Sequence, residues 1–324
     1  MSASTTAVAP PTVQADRVAP KTILALSIAE AKRQLRHPVL LGGAALAAWL
    51  SIQPWLHGEP VQDWENQNYM IFLLTWAPLY LAAFIAANTA ALRERESTTA
   101  EMFRSAPTRY SDRTLGLLAA GLVPTALAAV LAAIQLGVIA HAGGITLGNQ
   151  AVQLTPTAVE MALVPATTAT AFTLGVALAR TIKSRAFGAI LAAAGIYMFI
   201  VMFWVFGWFP AYFLAPYATA LRPVDLGQDI SANDLARWQV IHSPETYDSH
   251  WYAIVREIGI VGWHNVYLIG LALLLAAYAI RRSGRDRRVG WLLLPGAALT
   301  IGGLALHMAT FGGPFHWGAG VHGL

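Results

Sequence analysis

Seven long apolar runs, separated by polar gaps, constrain this chain more than any other feature. They cover roughly residues 39–56, 69–92, 114–140, 158–180, 186–209, 264–281 and 289–312. Each is at or near the ~20 residues that cross the ~30 Å hydrocarbon core of a bilayer as a helix. A soluble core has no use for seven such segments, and within lipid a helix satisfies its own backbone hydrogen bonds. The pattern predicts an all-α polytopic membrane protein with about seven transmembrane helices. Only 12% of the residues are charged, about half of the ~25% usual in soluble domains. The net charge of +4 is not read as a nucleic-acid signal, because in a membrane protein the placement of basic residues matters more than their sum. There is no cysteine, which excludes a disulfide framework, a thiolate metal site and a cysteine nucleophile.

The gaps set the orientation. Basic residues crowd the segment before the first run (Arg17, Lys21, Lys32, Arg33, Arg36), then 93–113, then 180–185, and then 281–288. The alternate gaps at 57–68 and 141–157 have none, and the long segment 210–263 has only Arg222, Arg237 and Arg256 against six acids. Eighteen Lys and Arg thus fall on one side and three on the other. The positive-inside rule then predicts a cytoplasmic N-terminus and an outer C-terminus. The Ser/Thr/Ala/Pro-rich stretch 1–21 reads as a disordered cytoplasmic tail rather than a cleavable signal peptide.

Three segments outside the spans carry pattern of their own. In 22–37, Leu24, Ile28, Ala31 and Leu35 recur at helical spacing while Lys32, Arg33 and Arg36 project elsewhere. That predicts a helix in the cytoplasmic interface, or else a plain extension of the first span, and Pro38 marks a break after it. In 93–113, Thr98 or Thr99 can cap a short helix with Glu101 and Met102 in its first turn, Phe103 on its apolar side and Pro107 at its end. Such a loop is either a docking element for a soluble partner or a solvated connector. The outer segment 210–263 is expected to hold two short helices, Ser231–His242 and about His250–Ile260, packed over the outer ends of the spans.

The apolar interior is poor in chemistry. Glu160 is the only acid within a run, and Thr157-x-x-Glu160 reads as a capping box. Proton-coupled carriers keep ionisable groups near the midplane, and none is placed there. Eight of nine histidines lie toward the outer side (His57, His141, His242, His250, His264, His307, His316 and His322) but are scattered along the sequence. An outer-face histidine metal site is therefore a minor alternative. The alanines at 82, 83, 86, 87, 90 and 91 form a small-residue face for close helix packing, within the subunit or across a dimer. Asn88 and Gln135 call for polar partners, and the threonines at 167, 168, 170 and 173 for their own carbonyls. No GxxxxGK[ST] occurs, so if the chain does work its energy comes from elsewhere, which fits a permease fed by a separate ATPase.

AEAKRQLRHPVLL before the first run, RERESTTAEMFRSAPTRYSDRTLG after the second and WHNVYLIGLALLL opening the sixth together resemble the type-2 membrane permeases of ATP-binding-cassette exporters, in an actinobacterial-like branch. The resemblance covers about residues 20–285. It implies a six-span permease domain at 22–288, and the seventh span with outer tail at 289–324 departs from the family plan. It also implies that 22–37 is a connecting helix and that about 98–105 is a coupling helix seated in an ATPase groove. Glu94, Glu96, Glu101, Met102, Phe103 and Arg104 would make that coupling, with lesser contacts from Arg180–Arg185. The partners implied are an ATP-binding-cassette ATPase subunit, a second permease copy (homodimer or heterodimer) and membrane lipids. The permease itself would be no enzyme and would bind no cofactor, with ATP and Mg held by the partner in the cell membrane. By analogy, Thr75, Asn88, Tyr197, Phe199 and Met202 would line an export pathway worked by alternating access. The alternative is a non-transport membrane assembly factor or sensor that docks a cytoplasmic partner.

Overall fold

The structure is a computed structural model that describes residues 20–56, 73–93, 108–147, 152–182, 184, 190, 194–195, 213–227, 229, 231–233, 240–242, 251–284 and 288–311. Its helices are α1 (Pro20–Gln34), α2 (Pro38–Ile52), α3 (Ala77–Leu92), α4 (Tyr110–Ala120), α5 (Leu122–His141), α6 (Ala158–Met161), α7 (Leu163–Thr181), α8 (Ile258–Ser283) and α9 (Val289–Phe311). Among the described residues five short strands accompany them: β1 (Ile145–Leu147), β2 (Val152–Leu154), β3 (Leu221–Gly227), β4 (Val240–His242) and β5 (Trp251–Arg256).

Four helical stretches among the described residues are long and apolar enough to cross a bilayer: Tyr110–His141, Ala158–Thr181, Ile258–Ser283 and Val289–Phe311. A fifth is added if α1 and α2, bent by 58°, count as one broken span. Pro38 makes that bend: it opens α2 at a first-turn position, after His37 in extended conformation. The shorter apolar helix α3 matches the second half of the second run, while the fifth run lies almost wholly outside the described residues.

The packing is of the membrane type. Leu46, Trp49, Val130, Ile134, Leu294 and Ile301 face outward, whereas Ser51, Asn88, Gln135 and six of the seven alanines of α3 are buried. An apolar exterior around a small and polar interior is stable only where the surroundings are themselves apolar. Helix α7 is central, with α3, α5 and α8 around it; α2 lies against α3, α1 against α4, and α9 along α8. The alanine face of α3 is used within the subunit, since Ala82, Ala83, Ala86, Ala87, Ala90 and Ala91 are all buried. Gly175 of α7 meets it so closely that an added Cβ would collide with the Phe84 carbonyl.

Two expectations for the loops are corrected. The segment foreseen as helix over His250–Ile260 is strand β5 up to Arg256, and α8 begins at Ile258. The helix foreseen over Ser231–His242 ends instead in strand β4. β5 is the centre of an antiparallel sheet with order β3-β5-β4. WYAIVR is rich in β-branched and aromatic residues, which favour a strand once neighbouring strands are available to pair. A second hairpin joins β1 and β2, with Ile145 opposite Leu154. It follows the end of α5, where Gly143 and Gly144 take positive φ and Gly144 N–H closes on the Ile139 carbonyl at 2.9 Å.

The capping box is present. Glu160 accepts from the Thr157 N–H at 2.8 Å and donates its own N–H to Thr157 Oγ1 at 3.3 Å. Thr168, Thr170 and Thr173 donate to carbonyls four residues back, while Thr167 reaches across to the Pro216 carbonyl at 2.7 Å.

Candidate functional site

Arg93, Arg180, Arg281, Arg282 and Arg288 stand at one end of the bundle, hereafter the basic end. The segment 94–107 leaves and re-enters the fold there. Glu94, Glu96, Glu101, Met102, Phe103 and Arg104 all fall in it and lie outside the described residues, but the two roots of the segment are defined in detail.

The first root is Arg93, the C-cap of α3. Its Nη2 donates to both carboxylate oxygens of Glu30 on α1, at 3.0 and 2.8 Å. Glu30 also takes Arg33 Nη1 at 2.5 Å. One carboxylate therefore ties α1 to the end of α3. Nearby, at the α1–α2 bend, His37 Nε2 lies 3.4 Å from Thr89 Oγ1. Burial, and then the Arg93 charge, push the His37 imidazole below its usual range.

The second root is the first turn of α4. Arg180, in the last turn of α7, is almost fully buried at 2% exposure. It donates to the Ala91 carbonyl of α3 at 3.2 Å and to the Tyr110 hydroxyl, with its guanidinium 4.2 Å from the Tyr110 ring centroid. A buried cation is costly unless hydrogen-bonded, and the carbonyl, the phenol and the aromatic face all favour it. Arg180 thereby joins α3, α4 and α7 at one point. Two residues beyond Tyr110, the buried Asp112 accepts from Arg288 Nη1 at 2.9 Å, just ahead of α9. Thr114 Oγ1 lies 2.7 Å from Ser283 Oγ at the end of α8.

The pathway candidates divide. Tyr197, Phe199 and Met202 lie outside the described residues. Asn88 is buried and donates to the Gly175 carbonyl at 3.1 Å, between α3 and α7. Thr75 Oγ1 lies 2.8 Å from Ser51 Oγ. Beside it Trp76 Nε1 donates to Gln135 Oε1 at 2.8 Å, and Gln135 Nε2 donates to the Ser51 carbonyl at 3.2 Å. These groups bind helices α2, α3, α5 and α7 to one another.

At the opposite end the fold gathers two of the scattered histidines. His264 of α8 and His307 of α9 are both buried, with Nδ1 atoms 3.2 Å apart. His264 Nε2 lies 2.9 Å from the Ala215 carbonyl, which can only accept. Neutral His264 is thus protonated at Nε2, its Nδ1 accepts, and His307 donates from Nδ1. Phe213 packs edge-on against His307. Among the described residues no group of three or more His, Cys, Asp or Glu could hold a metal ion.

Sequence reasoning placed Arg180 among the lesser coupling contacts of a connecting gap and Arg288 in the basic gap 281–288, and it passed over Glu30, Tyr110 and Asp112. One signal was present: Arg180 is the last residue of an apolar run, where a cation must either reach the interface or find internal partners. No family model matches the chain, and no curated protein matches it.

Proposed function

We propose that this chain is the membrane subunit of an ATP-driven exporter, in which a separate ATPase acts on the loop 94–107. In this reading the basic end is cytoplasmic, the N-terminus lies inside and the C-terminus outside, and the chain spans the cell membrane about seven times. A substrate not yet identified leaves the cytoplasm or the inner leaflet by alternating access between two permease copies. Glu94, Glu96, Glu101, Met102, Phe103 and Arg104 make the coupling contacts. Thr75, Asn88, Tyr197, Phe199 and Met202 remain the candidates for the pathway wall.

The observation that carries the reading is the grip on both roots of the loop. Force applied to 94–107 reaches α3 through Arg93 and Glu30, and reaches α4 and α7 through Tyr110 and Arg180. A mere connector needs no such bracing, whereas a loop that drives helices must be rigidly rooted, because packed interfaces shift between discrete arrangements rather than bend continuously.

Purification from native membranes in mild detergent, with mass spectrometry of what accompanies the chain, tests this. A stoichiometric nucleotide-binding protein is expected, and joint charge reversal of Glu101 and Arg104 is expected to uncouple its ATP hydrolysis from transport while the membrane body stays folded. A chain that purifies alone, or a double variant that transports normally, refutes the assignment.

A further inference from the structure

Helix α9 is the element for which the permease resemblance makes no provision, yet it is fastened along its length. Gly270 of α8 meets the backbone of Thr300, Gly296 meets Leu273 and Leu274, and Gly303 meets the backbone of Tyr267. At Gly270 and Gly303 a Cβ would collide, and at Gly296 it would meet α8 at 3.0 Å, so α9 packs tightly along α8. Both ends are tied as well. At the basic end Arg288 binds the buried Asp112 in the first turn of α4, and Ser283, at the end of α8, meets Thr114. At the opposite end His307 donates to His264, and His264 donates to the Ala215 carbonyl. An unbroken series of contacts therefore runs from the α4 root of the loop 94–107, through α9, to the segment at 213–216 and the sheet that follows it.

We infer that Asp112 and Arg288 are positioning residues that make the α8–α9 pair follow α4, so that a displacement at the basic end is delivered to the histidine pair and Ala215 at the far end. The role of this linkage in transport rests on the coupling reading, but the linkage itself is a property of the chain alone. Asp112 suits the task because it is fully buried and, among the described residues, its second carboxylate oxygen has no hydrogen-bond partner. Losing Arg288 would leave it an uncompensated buried charge, so α4 and α9 stay together over any motion that does not break the pair.

The absence of native cysteine lets spin labels be placed cleanly on exposed sites of the full-length chain in nanodiscs. One pair, Leu122→Cys with Trp291→Cys, reads α9 against α5 toward the basic end; the other, Ile134→Cys with Leu214→Cys, reads the 213–216 segment against α5 toward the far end. Asp112→Arg is expected to shift both mean distances by about 2 Å, the scale of interface helix shifts, and the swap Asp112→Arg with Arg288→Asp to restore both. A near-end shift with an unmoved far end overturns the inference, and so does no shift at either end. If Asp112→Arg fails to fold, Asp112→Asn with the same labels decides. These distances need no partner protein, so their failure leaves the co-purification test standing, and failure of co-purification leaves the distances standing.

Discussion

Replacing Gln135 by Leu tests whether buried polar contacts between helices hold this bundle together. Gln135 and Trp76 are both fully buried. The substitution removes the 2.8 Å bond from Trp76 Nε1 and the 3.2 Å bond to the Ser51 carbonyl. Hydrogen bonds between helices in a bilayer average about 0.6 kcal/mol each, so the two bonds contribute about 1 kcal/mol. The orphaned indole N–H weighs more, since a donor left buried without a partner costs about 1–3 kcal/mol. Gln135→Leu should therefore cost about 2–4 kcal/mol. Trp76→Phe removes the donor itself, so in that background Gln135→Leu should cost about 1–3 kcal/mol less. Reversible unfolding in mixed micelles, run on the wild type, both single variants and the double variant, measures that difference directly. If Gln135→Leu costs the same in both backgrounds, to within the ~0.5 kcal/mol expected of independent sites, the bond contributes nothing and Gln135 is held by packing alone.

Two further outcomes follow from the geometry. Gly175→Ala places a Cβ against the Phe84 carbonyl and Ala87; overpacking of this kind costs about 1–3 kcal/mol, more than the ~1 kcal/mol gain in helix propensity from Gly to Ala, so thermal unfolding should occur earlier. Because burial and the Arg93 charge lower the His37 pKa in the folded state, its contribution to stability is present above the unfolded value of about 6.5 and is lost as pH falls from there toward the folded value; wild type should therefore lose more thermal stability between pH 7.5 and 5.5 than His37→Gln, and equal losses would show that His37 is not the titrating group.

The candidate site was only half legible in the sequence. Apolar length located the helices, because the bilayer sets a one-dimensional requirement that each segment meets by itself. Pro38 and the Thr157–Glu160 box were readable for the same reason, since breaks and caps depend on near neighbours. The strands were not: β5 became a strand by pairing with β3 and β4, partners that lie nine to thirty-five residues away, and its local pattern was compatible with a helix start.

The sequence by itself determined that the chain is built of long apolar helices with its cations gathered at alternate gaps, for hydropathy and charge are additive along the chain. Only the tertiary structure decided which polar residues meet. Glu30 finds Arg93 across 63 positions, Asp112 finds Arg288 across 176, and His264 finds His307 across 43. Each of those residues, taken alone, reads as an ordinary interfacial group. A buried charge or imidazole gains its meaning from the partner that satisfies it, and that partner is chosen by how the helices pack rather than by the residues beside it in the chain.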